Sequence, residues 1–297
     1  MANLPTRCGS IAIVGRPNVG KSTFLNTLLG QKISITSRKP QTTRHQILGI
    51  KTKGATQAIF MDTPGLHSRK TRALNRYMNR VATNAIMSVD LVVFLIDARG
   101  WHAEDNKIAK LLRGTRNIVI VVLNKIDKIE SREQLLPLIE FISETLDAQE
   151  IIPMNALENT SVAIVENIIT RHLPVADWIF PEDQITDRST RFIAAELIRE
   201  QYVTRLGEEL PYRLSVEVEY FESSPALVQI GAVIWVEKQS HKGIAVGKNG
   251  RTIKSVGISA RHELETMLEG AVNLKLWVKV KKGWSDDTRA LLELGYD

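Results

Sequence analysis

Two hydrophobic rhythms divide the chain. From residue 10 to about 172, short apolar runs alternate with amphipathic stretches. The runs IAIV (11–14), AIFMD (58–62), DLVVFLID (90–97) and NIVIVVLNK (117–125) are β-branched and aromatic and end at turn residues, which predicts buried strands. Between them the apolar positions take helical spacing. Phe24, Leu25, Leu28 and Leu29 share one face of a helix that stops at Gly30. Further helices are expected near 70–86, 103–113, 132–146 and 160–171. Strands alternating with helices predict an α/β domain, a mostly parallel sheet with helices on both faces. In such sheets ligands lie beyond the carboxyl ends of the strands.

The rhythm breaks at 172–188, HLPVADWIFPEDQITDR, which has two prolines and no clear period. A helix over about 189–206 follows, with Phe192, Leu197, Ile198 and Val203 apolar. Then come the alternating strands RLSVEVEYFE and LVQIGAVIWVEK, a helix over about 251–268, and the strand VNLKLWVKVKK. This second half reads as a smaller α+β domain. The expected boundaries are a first domain at 1–174, a linker at 175–188, and a second domain with a C-terminal tail at 189–297.

Composition refines this only slightly. A chain of 297 residues with 43% apolar and 24% charged residues has enough core for two globular domains. No apolar run approaches the roughly 20 residues of a membrane span. The N-terminus lacks the basic-then-apolar signal pattern. The one cysteine, Cys8, excludes a disulfide framework and a cysteine-rich zinc site. A cytosolic protein is expected. The net charge of +6 hints at an anionic partner, and its placement is more telling. Residues 239–282 carry nine Lys/Arg against three Asp/Glu, whereas 183–238 carry six against ten.

GRPNVGKS at 15–22 fits the phosphate-loop pattern G-x-x-x-x-G-K-[ST] between a strand and a helix. Its glycines let backbone N–H groups close around phosphate oxygens at a helix N-terminus. Lys21 is placed to reach the β and γ phosphates, and Ser22 to ligate Mg²⁺. DTPG at 62–65 ends a strand, so Asp62 is placed to hold Mg²⁺ through water and the Gly65 N–H to meet the γ phosphate. Standing alone, DTPG would be a proline-glycine turn. NKID at 124–127 ends another strand. There the Asp127 carboxylate can accept from N1–H and the 2-amino group of guanine, a donor pair adenine lacks. Asn124 would brace the loop and the Lys125 stem would lie against the base. QTTRH at 41–45 holds the candidate switch threonines, and Thr43 is preferred over Thr42 for Mg²⁺.

These motifs resemble the TRAFAC-class GTPases, and most closely the Era family, bacterial GTPases of ribosome assembly. The likeness runs through GRPNVGKSTFLN, ISITSRKPQTTRH, DTPGLH, NKID, the later GKNGRTIK and a GW near the end. It implies GTP or GDP with Mg²⁺ bound by Gly15, Arg16, Pro17, Asn18, Val19, Gly20, Lys21, Ser22, Thr23, Asp62, Thr63, Pro64, Gly65, Leu66, Asn124, Lys125, Ile126, Asp127 and Ala156. Ser22, Thr43 and Asp62 form the metal set, and Lys21, Thr43 and Gly65 the catalytic one. It also implies loose attachment to the inner membrane face; a monomer is expected. In two places the sequence departs from a common pattern. Ras-like enzymes carry a water-positioning glutamine where this chain has Leu66, which can neither orient nor deprotonate water; Era proteins share the apolar residue. The guanine-bracing Ser-Ala of the family is here Asn155-Ala156. Asn18 stands where some relatives hold K⁺.

GKNG at 247–250 is a G-x-x-G, by itself only a turn. It lacks the G-K-[ST] ending, so it is not a second nucleotide loop. It lies in a two-strand, helix-loop-helix, strand pattern with the extra helix first, which matches a type II KH domain, whose G-x-x-G loop clamps about four nucleotides of single-stranded RNA. The expected RNA set is Ile244, Gly247, Lys248, Asn249, Gly250, Arg251, Ile253 and Lys254, with Val246 in the groove floor and Lys275, Lys279, Lys281 and Lys282 extending the charge. Trp235, Trp277 and Trp284 are expected in the core. The resemblance implies the 3′ region of small-subunit ribosomal RNA as target and small-subunit assembly as process. Two rivals stand beside this reading. One is an RNA-binding scaffold that binds GTP without useful hydrolysis. The other is a tRNA-modifying or membrane-transport GTPase, which would need a catalytic cysteine, a cofactor domain or a membrane span.

Overall fold

The computed structural model describes residues 5–37, 39, 42–65, 73–207 and 210–296. They form two compact units. In the first, a six-stranded sheet runs in the order β2-β3-β1-β4-β5-β6. Its strands are β1 (Arg7–Val14), β2 (Ile47–Lys53), β3 (Thr56–Asp62), β4 (Leu91–Asp97), β5 (Ile118–Asn124) and β6 (Glu150–Met154). All pairings are parallel except the one between β2 and β3. Every residue of β4 is buried, and so are six of the seven in β5. A parallel strand covered on both faces must be apolar throughout, which is why these two runs read so clearly in the sequence.

The helices of this unit are α1 (Lys21–Leu29), α2 (Ala73–Met87), α3 (Ala103–Leu112), α4 (Leu136–Thr145) and α5 (Asn159–Arg171). Contacts assign the start of α2, up to Tyr77, to the second unit. The stretch 66–72, on which the expected start of α2 and Leu66 fall, lies outside the described residues. α1 ends as its sequence predicts: Gly30 takes the left-handed conformation, φ 70°, and its N–H closes on Thr27 O at 3.2 Å.

Residues 175–187 are strapped to the edge of this unit. Ile50 N–H donates to Ile185 O at 2.7 Å, and Gln57 receives the N–H groups of Ile179 and Phe180 at 2.9 Å each. A segment without period or apolar stripe is held here through its backbone, which periodicity does not report.

Among the described residues, the second unit comprises 188–207 and 210–296 together with two pieces of the first half, one within 35–42 and one at 73–77. Its own elements are α6 (Thr190–Arg205), β7 (Leu214–Ser223), β8 (Val228–Val236), α7 (Gln239–Val246), α8 (Arg251–Leu268), β9 (Val272–Val280) and α9 (Thr288–Glu293). β7 pairs antiparallel with the central β8, and β8 parallel with β9. Alternate residues of β8 and β9 (Ile230, Ala232, Ile234, Val236, Val272, Val278) join Leu197, Ile198, Tyr202, Val256, Ala260 and Leu264 in one core. Burying each large aliphatic of that set contributes about 1.5–3 kcal/mol. The segment 35–42 is held by α6: Glu200 accepts from Thr36 N–H at 2.8 Å, Arg199 donates to Thr42 O, and Lys39 donates to Leu206 O.

Candidate nucleotide and RNA sites

Three sequence motifs arrive together at the carboxyl end of the first sheet. β1 runs into the phosphate loop, β3 ends at Asp62 and β5 at Asn124. The phosphate loop holds a non-glycine residue, Asn18, at φ 65°, and Gly20 at φ 102°. Its fit is close. A Cβ on Gly20 would sit 2.3 Å from Asn124 Nδ2, and one on Gly65 would meet Pro17 at 3.2 Å. Lys21 opens α1, almost fully buried, with its ammonium donating to Gly15 O at 3.0 Å and Arg16 O at 3.1 Å.

Ser22, Thr43 and Asp62 converge. Ser22 Oγ donates to Asp62 Oδ2 at 2.7 Å and lies 2.8 Å from Thr43 Oγ1. Ser34 Oγ also donates to Asp62 Oδ2, at 2.7 Å. Asp62 Oδ1 is buried with no hydrogen-bond partner. Burial raises the Asp62 pKa, against the pull of Lys21 and the two serines. Two hydroxyls and a carboxylate with an orphaned oxygen fit a hard cation such as Mg²⁺, which takes few protein ligands and completes its shell with phosphate and water. Thr63 Oγ1 ties this strand end to Ile13 O at 2.9 Å, and Pro64 follows.

The base side is laced to the phosphate side by Asn124. Its Nδ2 donates to Val19 O at 2.7 Å, and its Oδ1 accepts from Ala156 N–H at 2.9 Å. A base carbonyl would take the Ala156 N–H in competition with that bond. Lys125 sits at φ 68° and opens a short turn, Ile126–Lys128, that carries Asp127. Asn155 keeps a bracing role without the family's serine hydroxyl: it accepts from Leu157 N–H at 3.1 Å and donates to Glu158 at 2.7 Å. Thr23 follows Ser22 on α1.

Sequence reasoning missed Ser34 and the acids Asp97 and Asp105. Asp97 is nearly sealed from solvent, as is Asp105. The signal was present for Asp97, an acid ending a wholly apolar strand at the ligand end of the sheet. Burial would raise its pKa, but bonds from Arg99 and Lys125 outweigh that and hold it below the ordinary carboxylate range.

Lys21 yields a pH prediction. In the free protein burial lowers it to about 8, against the raising effect of Asp62. Charged ammonium is the form that attracts phosphate, so GDP affinity should fall as pH rises through 8, by about fourfold between pH 7 and 8.5. The folded pKa lies below the unfolded one, so this group alone makes the free protein more stable as pH rises from about 8 to 10.5. Titrating GDP across that range checks the slope. Lys21→Ala should flatten it.

In the second unit Gly247 (φ 75°), Asn249 (φ 54°) and Gly250 (φ 74°) form a tight turn between α7 and α8. Gly250 N–H closes on Gly247 O at 3.1 Å. Lys248, Asn249, Arg251 and Lys254 are exposed, and so is Ile244, at 53%. Val246 and Ile253 are half-buried against the core. The lysines of β9 are less available than the sequence suggested. Lys279 pairs with Glu219 at 2.7 Å and Lys281 with Glu293 at 2.6 Å, both near the ring of Trp235. Lys275 and Lys282 are exposed. The tryptophan expectation holds only for Trp284, which is fully buried. Trp277 is 40% exposed, and Trp235 is half-buried with its N–H on Glu217. Both alternate with core residues, so they lie on the sheet face away from the core.

Fold and site together define a P-loop GTPase domain followed by a KH domain. The sequence matches the 50S ribosome-binding GTPase family over residues 10–125 and the KH domain family over 209–285. It is 50% identical over 294 residues to GTPase Era of Pseudomonas putida (strain W619), covering 99% of this chain and 98% of that protein. It is 51% identical over 293 residues to GTPase Era of Marinobacter nauticus (99% and 96%). Among solved structures, an Era in complex with MgGDPNP and nucleotides 1506–1542 of 16S ribosomal RNA is 38% identical, with TM-score 0.94 over 98% of this chain and 99% of that one. A variant of Aquifex aeolicus Era bound to GDP·AlF4⁻ is also 38% identical, with TM-score 0.93 over the same shares. The chain belongs to the GTPase Era family. It is a GTP-hydrolysing enzyme. Among the described residues, no helix is long and apolar enough to cross a membrane.

Proposed function

We propose that this chain is a GTP-driven switch that grips the 3′ region of small-subunit ribosomal RNA during assembly of that subunit. The GTPase part falls in 1–174 and the RNA-binding part in 189–297. The observation that carries the reading is the division of the switch stretch: Thr43 meets Ser22 beside Asp62, while the residues just before it, 35–42, belong to the unit that bears GKNG. Thr43 is next in the chain to Thr42, whose carbonyl accepts from Arg199 of α6, so a nucleotide-dependent change at Thr43 would reach that segment through the backbone. Likeness to an Era captured with MgGDPNP and 16S ribosomal RNA supports the pairing of ligands.

The nucleotide set is residues 15–23, 62–66, 124–127 and Ala156. Lys21 leaves the loop carbonyls for the phosphates. Backbone N–H groups of the loop and of Gly65 receive the charge that develops on the γ-phosphoryl oxygens, and this electrostatic preorganisation is the main catalytic effect. Ser22, Thr43 and Asp62 would hold Mg²⁺, which would supply positive charge against the phosphates. Leu66, outside the described residues, offers no water-orienting group, so intrinsic turnover is slow. Asn18, poised in a left-handed conformation, is the candidate for holding K⁺. RNA is gripped by Ile244, 247–251, Ile253 and Lys254. The protein acts as a monomer in the cytoplasm, with loose attachment to the inner membrane face through its basic surface.

Steady-state phosphate release tests the enzymatic half. Turnover should be lost in Lys21→Ala, and it should rise several-fold (roughly 3–10-fold) when K⁺ replaces Na⁺. Equal rates in both salts would remove K⁺ from the account. Turnover that survives Lys21→Ala would remove the site.

A further inference from the structure

The geometry points to Asp97 as a positioning residue for the nucleotide: its buried carboxylate holds the Lys125 ammonium against the phosphate loop, at ion-pair distance from the Arg16 guanidinium, and so sets the guanine loop in register with the phosphate loop. This rests on the nucleotide-site assignment above and adds a residue to it.

Two residues of the site depart from ordinary backbone geometry. Asn18 in the phosphate loop and Lys125 in the guanine loop both take left-handed backbone conformations without being glycine. Such conformations persist only where surroundings over-determine them. Each is tied to the other, because Lys125 Nζ donates to Asn18 O at 2.5 Å. An ammonium on a flexible four-carbon stem does not choose that position unaided. What fixes it is Asp97, whose Oδ2 lies 3.0 Å from the same Nζ. The carboxylate is itself held from two sides. It sits at the end of β4, opposite Asn124 in the parallel register, and Ala98 N–H donates to Asn124 O at 2.8 Å. Arg99 clamps it from the other side with Nε and Nη2, both at 2.8 Å.

Asp97 also faces the phosphate loop. Arg16 Nη2 lies 3.8 Å from its Oδ2, and Arg16 Nε lies 3.6 Å from Asp105, an ion-pair distance too long for a hydrogen bond. Asp105 is fixed in turn by His102 N–H at 2.9 Å at the start of α3. One buried carboxylate thus touches a cation from each nucleotide-gripping loop, and neither cation is the Lys21 that meets phosphate. With Asp97 neutral, Lys125 keeps one carbonyl and loses its counter-charge, and its stem is free to leave the face of the base.

The test is a double-substitution cycle in the full chain, read as affinity for a fluorescent GDP derivative. The thermal midpoint of each nucleotide-free variant reports folding. Asp97→Asn should weaken GDP about tenfold, Lys125→Met at least as much, and the pair no more than the larger single effect, because Asp97 acts through Lys125. Factors that multiply in the double variant would overturn the proposal. So would an Asp97→Asn affinity within about twofold of the parent. The ratio of GDP to xanthosine diphosphate affinity is a second readout. Asp97→Asn should leave it within about twofold, since the recognising carboxylate of Asp127 is untouched. A shifted ratio would put Asp97 in base recognition and end the proposal as stated. Should Asp97→Asn not fold, Asp97→Glu takes its place in the same cycle, with the same non-multiplying pattern expected. A parent chain that fails to bind GDP would instead overturn the site assignment beneath it.

Discussion

Asp127→Asn is expected to weaken GDP by about 10²–10⁴-fold and to turn the site towards xanthine nucleotides. In the proposed site the carboxylate would accept two bonds from guanine, from N1–H and from the 2-amino group. Each charge-assisted bond is worth about 1.5–3 kcal/mol, so the pair carries about 3–6 kcal/mol. An asparagine keeps the shape and turns one acceptor into a donor, which opposes guanine and suits the 2-carbonyl of xanthine. The fold should tolerate the change, because Asp127 lies in a short surface turn, paired with its neighbour Lys128 at 3.1 Å. Competition between GDP and xanthosine diphosphate measures the swap. An unchanged preference would mean that another group reads the base.

Gly250→Asp and Gly247→Asp should cost the chain most of its RNA affinity while leaving GDP affinity within about twofold. The two differ in an instructive way. Gly250 (φ 74°, ψ 12°) is left-handed, where an L-residue is strained by about 1–2 kcal/mol, whereas Gly247 (φ 75°, ψ 167°) lies in a region open essentially to glycine alone. A Cβ on Gly250 meets nothing within 4 Å, so its effect is chiefly the added charge. A Cβ on Gly247 would lie 2.2 Å from Thr252 Oγ1 and 2.8 Å from Thr252 N, so that change also distorts the start of α8. Single-strand affinity should fall at least about tenfold for Gly250→Asp, and further for Gly247→Asp. Each lost phosphate contact should also reduce the salt slope by about 0.7. RNA affinity that survives Gly250→Asp would reduce GKNG to a turn.

The parts legible in the sequence share one property, a local signal strong enough to outvote its neighbours. β4 and β5 are apolar because both faces are covered, and the phosphate loop, DTPG and NKID follow apolar runs. β2 escaped notice because it is an antiparallel strand at the sheet edge, where ILGIKTK mixes burial with exposure. β6 is only five residues long and contains an exposed Pro153, which weakens any strand pattern. The C-terminal α9 is too short for a periodicity to show. Counting lysines on β9 overstated the free charge, since cross-strand and tail acids meet Lys279 and Lys281 only in three dimensions. Ser34 and Asp97 were missed for the same reason: each meets a partner distant in sequence, Asp62 in one case and Lys125 in the other.

The same logic explains why two G-rich loops do different work in one chain. The first is enclosed, with Lys21 buried and Asn124 reaching across to Val19 O. Such an enclosure suits a small ligand. The second stands open, with Lys248, Asn249, Arg251 and Lys254 exposed, which suits a polymer strand laid across it and continuing on both sides.

The coupling of these loops is the centre of the account, and one titration tests it most directly. A single strand matching the 3′ end of small-subunit ribosomal RNA is bound to the full chain loaded with a non-hydrolysable GTP analogue, and again with GDP. Tighter binding with the analogue is the expected result. Equal affinity in the two states would contradict the switch, leaving a GTPase and an RNA clamp that share a chain and nothing more.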